Sequence, residues 1–133
     1  MEEKQRTIEE VREIFANDKF ATENGAVIEE IGELYAKCSI TLGDIHKNAM
    51  GGVMGGVYFT LADFAFAVAA NWKKMGTVSI NATISYMGKA RGEKIIAEAF
   101  CLKNGKTTAH YNVEVKDEMK NPIAVVTITG YHV

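Results

Sequence analysis

One carboxylate stands alone within an otherwise uncharged stretch of the sequence. Asp63 is the only charged residue in residues 57–70, where the others are mainly alanine, valine, leucine and aromatic residues. If this stretch is a helix, only Thr60 has a hydroxyl within one turn of Asp63. A buried carboxylate without a partner is costly, or it retains its proton. Asp63 is therefore either a structural residue, capping a loop or pairing across an interface, or a functional carboxylate with a shifted pKa.

Two glycines, Gly55 and Gly56, come directly before this stretch. At the N-terminus of a helix, glycines leave backbone N–H groups accessible, and the helix dipole adds partial positive charge there. Such a site can stabilise the oxyanion that forms when a carbonyl group is attacked. The same glycines also suit an ordinary tight turn, and they match neither a dinucleotide-binding fingerprint nor a Walker loop.

Length and composition exclude several classes of function. A chain of 133 residues fits one domain, residues 1–133, and a formal charge of −2 gives no electrostatic basis for binding nucleic acid or an anionic membrane. Residues 1–6 are polar, unlike a secretory signal, and residues 57–70 are fewer than the ~20 that a membrane helix needs. Cys38 and Cys101 lie far apart, and the histidines lack metal-ligand spacing. We therefore expect no metal site, histidines that are solvated or hydrogen-bonded, and a cytoplasmic location.

The elements that position these residues follow from the periodicity of the apolar side chains. Residues 7–10 fit a capping box and predict an amphipathic helix that ends near Asn17. Residues 26–31 and 33–42 predict a hairpin, and its second strand alternates strictly between apolar and polar side chains. Residues 43–56 contain five glycines and predict a loop.

The second half of the chain predicts one long helix followed by strands. The helix covers roughly residues 56–71, and four alternating segments follow it: residues 78–87, 94–103, 107–116 and 123–132. Asn104-Gly105 predicts a type I′ hairpin turn. Consecutive strands on short turns form an antiparallel sheet, which must wrap around a helix that is apolar on nearly all sides. The predicted fold is α+β: a curved antiparallel sheet around one long central helix, the hotdog architecture, with a short N-terminal helix.

The residues around the two glycines resemble a known family. Residues 48–56, followed by Leu61-Ala62-Asp63, resemble hotdog-fold acyl-CoA thioesterases of the phenylacetic-acid-degradation (PaaI-like) type in the 4HBT superfamily. The family pattern is an Asn, a His-Gly-Gly six residues later, and an Asp nine residues after that His. Here Asn48, Met54-Gly55-Gly56 and Asp63 have the same spacing. The likeness covers residues 25–133.

The resemblance implies hydrolysis of an acyl-coenzyme A thioester to the free acid and coenzyme A. It implies that the Gly55 N–H polarises the thioester carbonyl, and that Asp63 acts as general base or as nucleophile. Ser79 matches a hydroxyl that helps to place the attacking water, and Asn48 would orient that water or the substrate. No cofactor is implied, because coenzyme A is part of the substrate.

One residue departs from the family pattern. Met54 occupies the position of the family's His, so a flexible thioether replaces a hydrogen-bonding group beside the oxyanion site. This change would slow catalysis, alter substrate preference or mark a binding protein. Met54 and Gly56 are candidate substrate-binding residues beside that site. Lys89 and Arg91 are two more, because a turn at the rim of the sheet can present both to the coenzyme A phosphates, although a solvated turn is the alternative.

Three functions are compatible with these residues. An acyl-CoA thioesterase is favoured because Asp63 and both glycines are retained. A non-catalytic acyl-CoA-binding or regulatory hotdog protein is the alternative. A hotdog dehydratase is disfavoured because no His is placed to partner a carboxylate across a substrate.

The spacing of Gly55 and Asp63 predicts a dimer. They lie eight residues apart on the predicted helix, or ~12 Å at about 1.5 Å per residue, so one chain cannot bring both groups to one thioester. Two such helices, antiparallel across a two-fold axis, would place Gly55 of each chain near Asp63 of the other. The resemblance implies the same homodimer with shared active sites, usually paired into tetramers.

Overall fold

Six antiparallel strands form a single sheet in the computed structural model, which describes residues 5–133. In chain order they are β1 (Val27–Gly32), β2 (Tyr35–Thr41), β3 (Thr77–Tyr86), β4 (Lys94–Asn104), β5 (Thr108–Asp117) and β6 (Pro122–His132). Their order across the sheet is β1-β2-β4-β5-β6-β3, so β1 and β3 form its edges. Residues 1–4, on which much of the argument against a secretory signal rests, lie outside the described residues.

Helices precede and interrupt the strands. They are α1 (Ile8–Phe15), α2 (Lys19–Glu23), a 3-10 turn (Asp44–His46) and α3 (Gly55–Asn71). The predicted capping box is confirmed at the start of α1, because Thr7 and Glu10 each accept a hydrogen bond from the other's backbone N–H. The sequence did not predict α2, because five residues are too few to show an apolar period. Across residues 5–133, no helix is both long enough and apolar enough to cross a membrane.

The central helix α3 packs against all six strands. Its buried face includes Leu61, Ala65 and Val68, each fully buried. Five of its partly exposed residues recur every three or four positions and so share one face, which we call the α3 stripe. The stripe consists of Gly56, Thr60, Asp63, Ala67 and Ala70. The α+β prediction of a curved antiparallel sheet around one long helix, with a short N-terminal helix, is confirmed.

The edge strand β3 is poorly covered. In the part of the chain that the structure describes, it pairs only with β6. Val78 and Ile80 are 48% and 58% exposed. The pairing with β6 bulges between Ser79 and Asn81, where an extra residue bends the strand. An exposed apolar edge offers unpaired backbone groups to a second chain.

The hairpin between β4 and β5 is present, but the prediction of a type I′ turn is wrong. Neither Asn104 nor Gly105 has the positive φ that such a turn requires. The connection covers residues 105–107, and the Gly105 N–H donates to the Thr108 carbonyl at 2.8 Å. A Cβ at position 105 would lie 2.9 Å from that carbonyl oxygen. Glycine is therefore needed here for a close approach of the backbone and not for a left-handed conformation.

A buried carboxylate joins the β3–β4 loop to the β5–β6 turn. Asp117 is 1% exposed. It accepts backbone N–H groups from Arg91 (2.9 Å), Gly92 (3.2 Å), Met119 (3.0 Å) and Asn121 (2.9 Å), and the Asn121 Nδ2 at 2.9 Å. Burial alone would raise the pKa of Asp117, but the hydrogen bonds outweigh it and hold the pKa well below its ordinary value. We call this arrangement the Asp117 clamp.

Candidate active site

The N-terminus of α3 presents backbone N–H groups without an acceptor. The helix begins at Gly55, and the preceding Met54 is extended and makes no side-chain capping hydrogen bond. Within residues 5–133, nothing accepts a hydrogen bond from the N–H of Gly55 or Gly56. The next N–H, of Val57, donates to the Met54 carbonyl at 3.0 Å. Together with the helix dipole, these two free donors suit a developing oxyanion.

The loop before α3 is held in shape by Asn48. Its Oδ1 accepts the N–H groups of Met50 (3.0 Å) and Gly52 (3.1 Å), and its own N–H donates to the Gly52 carbonyl at 2.7 Å. Gly51 takes a φ of +86°, which a glycine adopts without strain. No described residue accepts from the Asn48 Nδ2, so that group is free to donate to a bound molecule.

A buried histidine fixes the other end of this loop. His46 is 3% exposed, and its Nδ1 accepts the Gly43 N–H at 2.9 Å. Its Nε2 is therefore the protonated nitrogen, and it donates to the Asn24 carbonyl at 2.7 Å. The His46 carbonyl accepts the Met54 N–H at 2.9 Å. For His46, the expected hydrogen-bonded role is confirmed, and it ties the start of α3 to the segment that follows α2.

A cleft of about 440 Å³ lies beside the N-terminus of α3. The residues lining this polar cleft include Asn48, Gly55, Tyr58, Tyr86 and Lys89. A Cβ at position 55 would lie 3.0 Å from the Tyr86 Cζ and Oη, so the absence of a side chain at Gly55 lets the phenol approach the helix. The cleft thus combines the free backbone donor of Gly55, an amide, two phenol groups and two lysines, Lys47 and Lys89.

The two tyrosines of the polar cleft were missed by the sequence analysis. Tyr58 is 5% exposed and its Oη accepts the Ala90 N–H at 3.4 Å, which joins α3 to the β3–β4 loop. Tyr86 is 54% exposed at the end of β3. Only the polar end of each tyrosine distinguishes it from the apolar residues around it, and no spacing in the sequence brings the two together.

Asp63 lies in a different depression, of about 430 Å³, between α3 and α2. The residues lining this Asp63 cleft include Asp18, Lys19, Phe59 and Thr60. Among the described residues, none forms a hydrogen bond or ion pair with Asp63, and the Thr60 hydroxyl does not reach it. Burial raises the pKa of Asp63, and the negative charge of Asp18 raises it further. A carboxylate of this kind is a better proton acceptor than an ordinary aspartate.

One chain therefore does not bring the predicted site residues together. Gly55 lines the polar cleft, whereas Asp63 lines the Asp63 cleft. Their positions in separate clefts agree with their separation of eight residues along α3. The α3 stripe that carries Asp63 continues to Gly56, the neighbour of Gly55 at the start of the helix.

Of the other predicted residues, two lie outside both clefts. Ser79 is exposed on β3, opposite Gly130 of β6, and lines neither cleft. Arg91 has an exposed side chain and also lies outside both clefts. Met54 and Gly56 line a third, smaller pocket on α3 together with apolar side chains.

Comparisons with known proteins identify the family. The model of the thioesterase superfamily matches residues 50–124. A putative esterase of Archaeoglobus fulgidus is 38% identical over 132 residues, covering 98% of this chain and 86% of that protein. The acyl-coenzyme A thioesterase PaaI of Escherichia coli is 28% identical over 113 residues, covering 84% of this chain and 81% of that protein.

The likeness extends to three dimensions. The solved structure of the Escherichia coli PaaI protein, from the phenylacetic acid degradation operon, matches with a TM-score of 0.85 and 25% identity over 91% of this chain and 88% of that one. The expected PaaI-like resemblance and the hotdog fold are both confirmed. This chain belongs to the thioesterase superfamily as a PaaI-like hotdog protein, and its enzyme class is that of the thioester hydrolases.

Proposed function

We propose that this protein hydrolyses acyl-coenzyme A thioesters to the free acid and coenzyme A. The decisive observation is the free backbone N–H of Gly55 at the positive end of α3, beside a cleft whose lining includes Lys89. A thioester carbonyl gains its negative charge only on attack, so donors placed for that oxygen act mainly in the transition state. The name of the Escherichia coli relative supports the choice of an acyl-coenzyme A substrate.

The reaction needs a base as well as an oxyanion site. Asp63 would take a proton from water while the water oxygen attacks the carbonyl carbon. The Gly55 N–H would stabilise the carbonyl oxygen as it becomes negative. The C–S bond then breaks, and the coenzyme A thiolate leaves and takes up a proton. In the alternative sequence, Asp63 itself attacks the carbonyl, and water then hydrolyses the resulting anhydride.

Two polar residues would assist this chemistry. Because the Asn48 Oδ1 is occupied within its own loop, the Nδ2 would contact the substrate or the attacking water. Ser79 lies on the exposed edge strand β3, so its hydroxyl would serve a site to which a second chain contributes. Gly56 supplies the second free N–H at the helix end.

The active site would be shared between two subunits. The α3 stripe leaves Asp63 partly exposed, and its small residues let a second helix approach closely. Two α3 helices packed antiparallel through this stripe would bring Gly55 of each chain to Asp63 of the other. The exposed edge of β3 supplies a second contact, because two such edges can pair and extend the sheet. Dimers of this kind would pair further into tetramers, as the family resemblance implies.

Subunit mixing tests the shared site. Asp63→Ala and Asn48→Ala should each be nearly inactive, because every site in either homodimer lacks one essential group. When the two variants are unfolded together and refolded, about half of the dimers should be mixed, each with one native site. Activity should therefore return to about a quarter of the parent level. Mixed dimers that are confirmed by mass but remain inactive would contradict a site shared in this way.

Lys89 and Arg91 are proposed to bind the coenzyme A phosphates. Replacing both with alanine should raise KM for an acyl-CoA by about three- to fivefold, the effect of an exposed ion pair of roughly 1 kcal/mol. The same change should have less effect on an acyl-pantetheine that lacks the nucleotide. Lys89 lines the polar cleft and Arg91 does not, so Lys89→Ala alone should account for most of the increase. Equal effects on the two substrates would contradict phosphate binding.

Hydrolysis itself is tested with a panel of acyl-CoAs and a dye that traps the released thiol. The expected result is thiol release that saturates with substrate. Met54 in place of the family's His specifically favours a second candidate, a non-catalytic acyl-CoA-binding protein. That candidate predicts binding of the same acyl-CoAs without thiol release.

A further inference from the structure

An apolar pocket of about 180 Å³ lies against the start of α3. Apolar side chains form most of its wall: Phe20, Ile40, Ile45, Met54 and Val57. The remaining lining residues are Asn24, Gly56 and Thr60, and the Asn24 Nδ2 already donates to the Phe20 carbonyl at 2.6 Å. Charged side chains are absent from the described lining of this pocket.

The apolar pocket and the polar cleft meet at the same helix end. Gly55 lines the polar cleft, whereas the residues on either side of it, Met54 and Gly56, line the apolar pocket. A carbonyl that accepts a hydrogen bond from the Gly55 N–H would therefore have a cleft with lysine, amide and phenol groups on one side and an uncharged apolar pocket on the other. An acyl-CoA has a similar polarity: its sulfur carries the amide-containing pantetheine arm, which ends in a phosphorylated nucleotide, whereas its carbonyl carbon carries a hydrocarbon group.

Met54 forms the boundary between these spaces. Its side chain is 54% exposed, and its Cε lies 3.0 Å from the position that a Cβ on Gly56 would occupy. The thioether is thus folded back over the first turn of α3 and presents an apolar surface to the pocket. Phe20, on α2, is 74% exposed at the same pocket. A histidine at position 54 would place a polar ring where the methyl group of Met54 now lies.

We propose that this pocket binds the apolar end of the acyl group and that Met54 and Phe20 determine acyl specificity. This inference rests on the proposed function, because it places the thioester carbonyl at Gly55. A volume of about 180 Å³ has room for about six groups the size of a water molecule or a methylene. The preferred substrate class is therefore an acyl group with about six apolar carbons beyond the carbonyl, either a short chain or a single aromatic ring. Charged acyl groups are disfavoured, because the pocket offers them no counter-charge.

The expected readout is the dependence of kcat/KM on the acyl group. In the parent protein, kcat/KM should rise by about fourfold for each added methylene, the worth of burying one CH₂ group, and should level off near six to eight carbons. Hexanoyl- and benzoyl-CoA distinguish a chain from a ring, and succinyl-CoA tests the exclusion of charge. Palmitoyl-CoA should gain nothing over octanoyl-CoA.

Three substitutions test the residues. Met54→Ala should move the plateau to longer chains, and Met54→His should lower the hexanoyl-to-acetyl ratio by about tenfold or more. Phe20→Ala should lower the same ratio without introducing a polar side chain into the pocket. Met75→Ala is the matched control, because Met75 is similarly exposed (51%) and lies outside the pocket, so its ratios should equal those of the parent.

Binding measurements separate failure of this inference from failure of the proposed function. The affinities of hexanoyl-CoA and of coenzyme A are measured by calorimetry for the parent and for each variant. If no thioester is hydrolysed, hexanoyl-CoA should still bind more tightly than coenzyme A, and Met54→His should abolish that difference. If the hexanoyl-to-acetyl ratio and the binding difference are unchanged in all the pocket variants, the pocket is not the acyl site, whether or not hydrolysis occurs.

Discussion

Replacing Asp63 with asparagine will reduce acyl-CoA hydrolysis by about 10²- to 10⁴-fold, the range expected for loss of a general base. The carboxamide has the shape of the carboxylate but cannot accept the proton of water or form an anhydride. The fold should be retained, because no described residue forms a hydrogen bond or ion pair with Asp63. The measurement is kcat with a thiol-trapping dye, together with circular dichroism and the melting temperature.

The raised pKa of Asp63 gives the same experiment a second readout. Burial raises the pKa of Asp63 in the folded state. Ionised Asp63 therefore destabilises the folded protein above that pKa, and this destabilisation disappears as the pH falls through it. Asp63→Asn should therefore melt at the parent temperature or higher at pH 7. The rate of the parent should fall with decreasing pH at a higher pH than an ordinary aspartate would give.

Asp44→Asn is the matched control, since Asp44 is an exposed aspartate in the loop before α3. It should have the parent rate and melting temperature. An Asp63→Asn variant that hydrolyses acyl-CoA as fast as the parent would exclude Asp63 as base and as nucleophile. A fall in melting temperature without loss of rate would identify it as a structural residue.

Replacing Asp117 with alanine will destabilise the fold by about 3–4 kcal/mol, because it removes the buried, charged acceptor of four backbone N–H groups and of the Asn121 amide. The melting temperature should fall by about 10–15 °C for a domain of this size. Glu114→Ala is the control on the same strand, since Glu114 is 42% exposed and contacts Lys116 at 3.8 Å. Surface changes of that kind alter stability by about 0.5 kcal/mol or less. Equal melting temperatures for the two variants would contradict a stabilising Asp117 clamp.

The Asp117 clamp also predicts how stability depends on pH. The pKa of Asp117 is depressed in the folded state, so its contribution is complete above the unfolded-state pKa of about 3.9. That contribution is lost as the pH falls from there through the folded-state pKa. Chemical denaturation between pH 3 and pH 6 should show a larger loss of stability below about pH 4 in the parent than in Asp117→Ala, where, among the described residues, only the other carboxyl groups with lowered pKa values, Glu29 and Glu118, still contribute.

The sequence predicted the elements of this fold because nearly all of them repeat a pattern over many residues. The alternation in residues 94–103 and 123–132 marks strands whose buried side chains recur every second position, and the observed bounds differ by one residue or fewer. The helix prediction from residue 56 to residue 71 was short by one residue, Gly55. Elements without a repeating pattern of apolar side chains cannot be predicted in this way. For that reason α2 was missed, and the turn at Gly105 was assigned the wrong type.

The candidate site was predictable only in part. Asp63 was identified because it is the only charged residue in an apolar helix, and Gly55 because it comes at the start of that helix. The direction of the Met54 side chain and the approach of Tyr86 depend on the curvature of the sheet, which no local pattern encodes. Asp117 was not identified from the sequence, because its partners in the β3–β4 loop lie about 25 residues away in the chain.

The place of β3 in the sheet has a consequence for synthesis on the ribosome. β3 ends at Tyr86, but its only partner in the chain as described is β6, which begins at Pro122 and ends at His132. At about 5–20 residues per second, translation leaves β3 without that partner for about 2–9 s. Its apolar residues Val78 and Ile80 therefore emerge as an open strand well before the sheet can close. We expect nascent chains stalled before residue 122 to bind chaperones at β3. Chains that include β6 should no longer bind them.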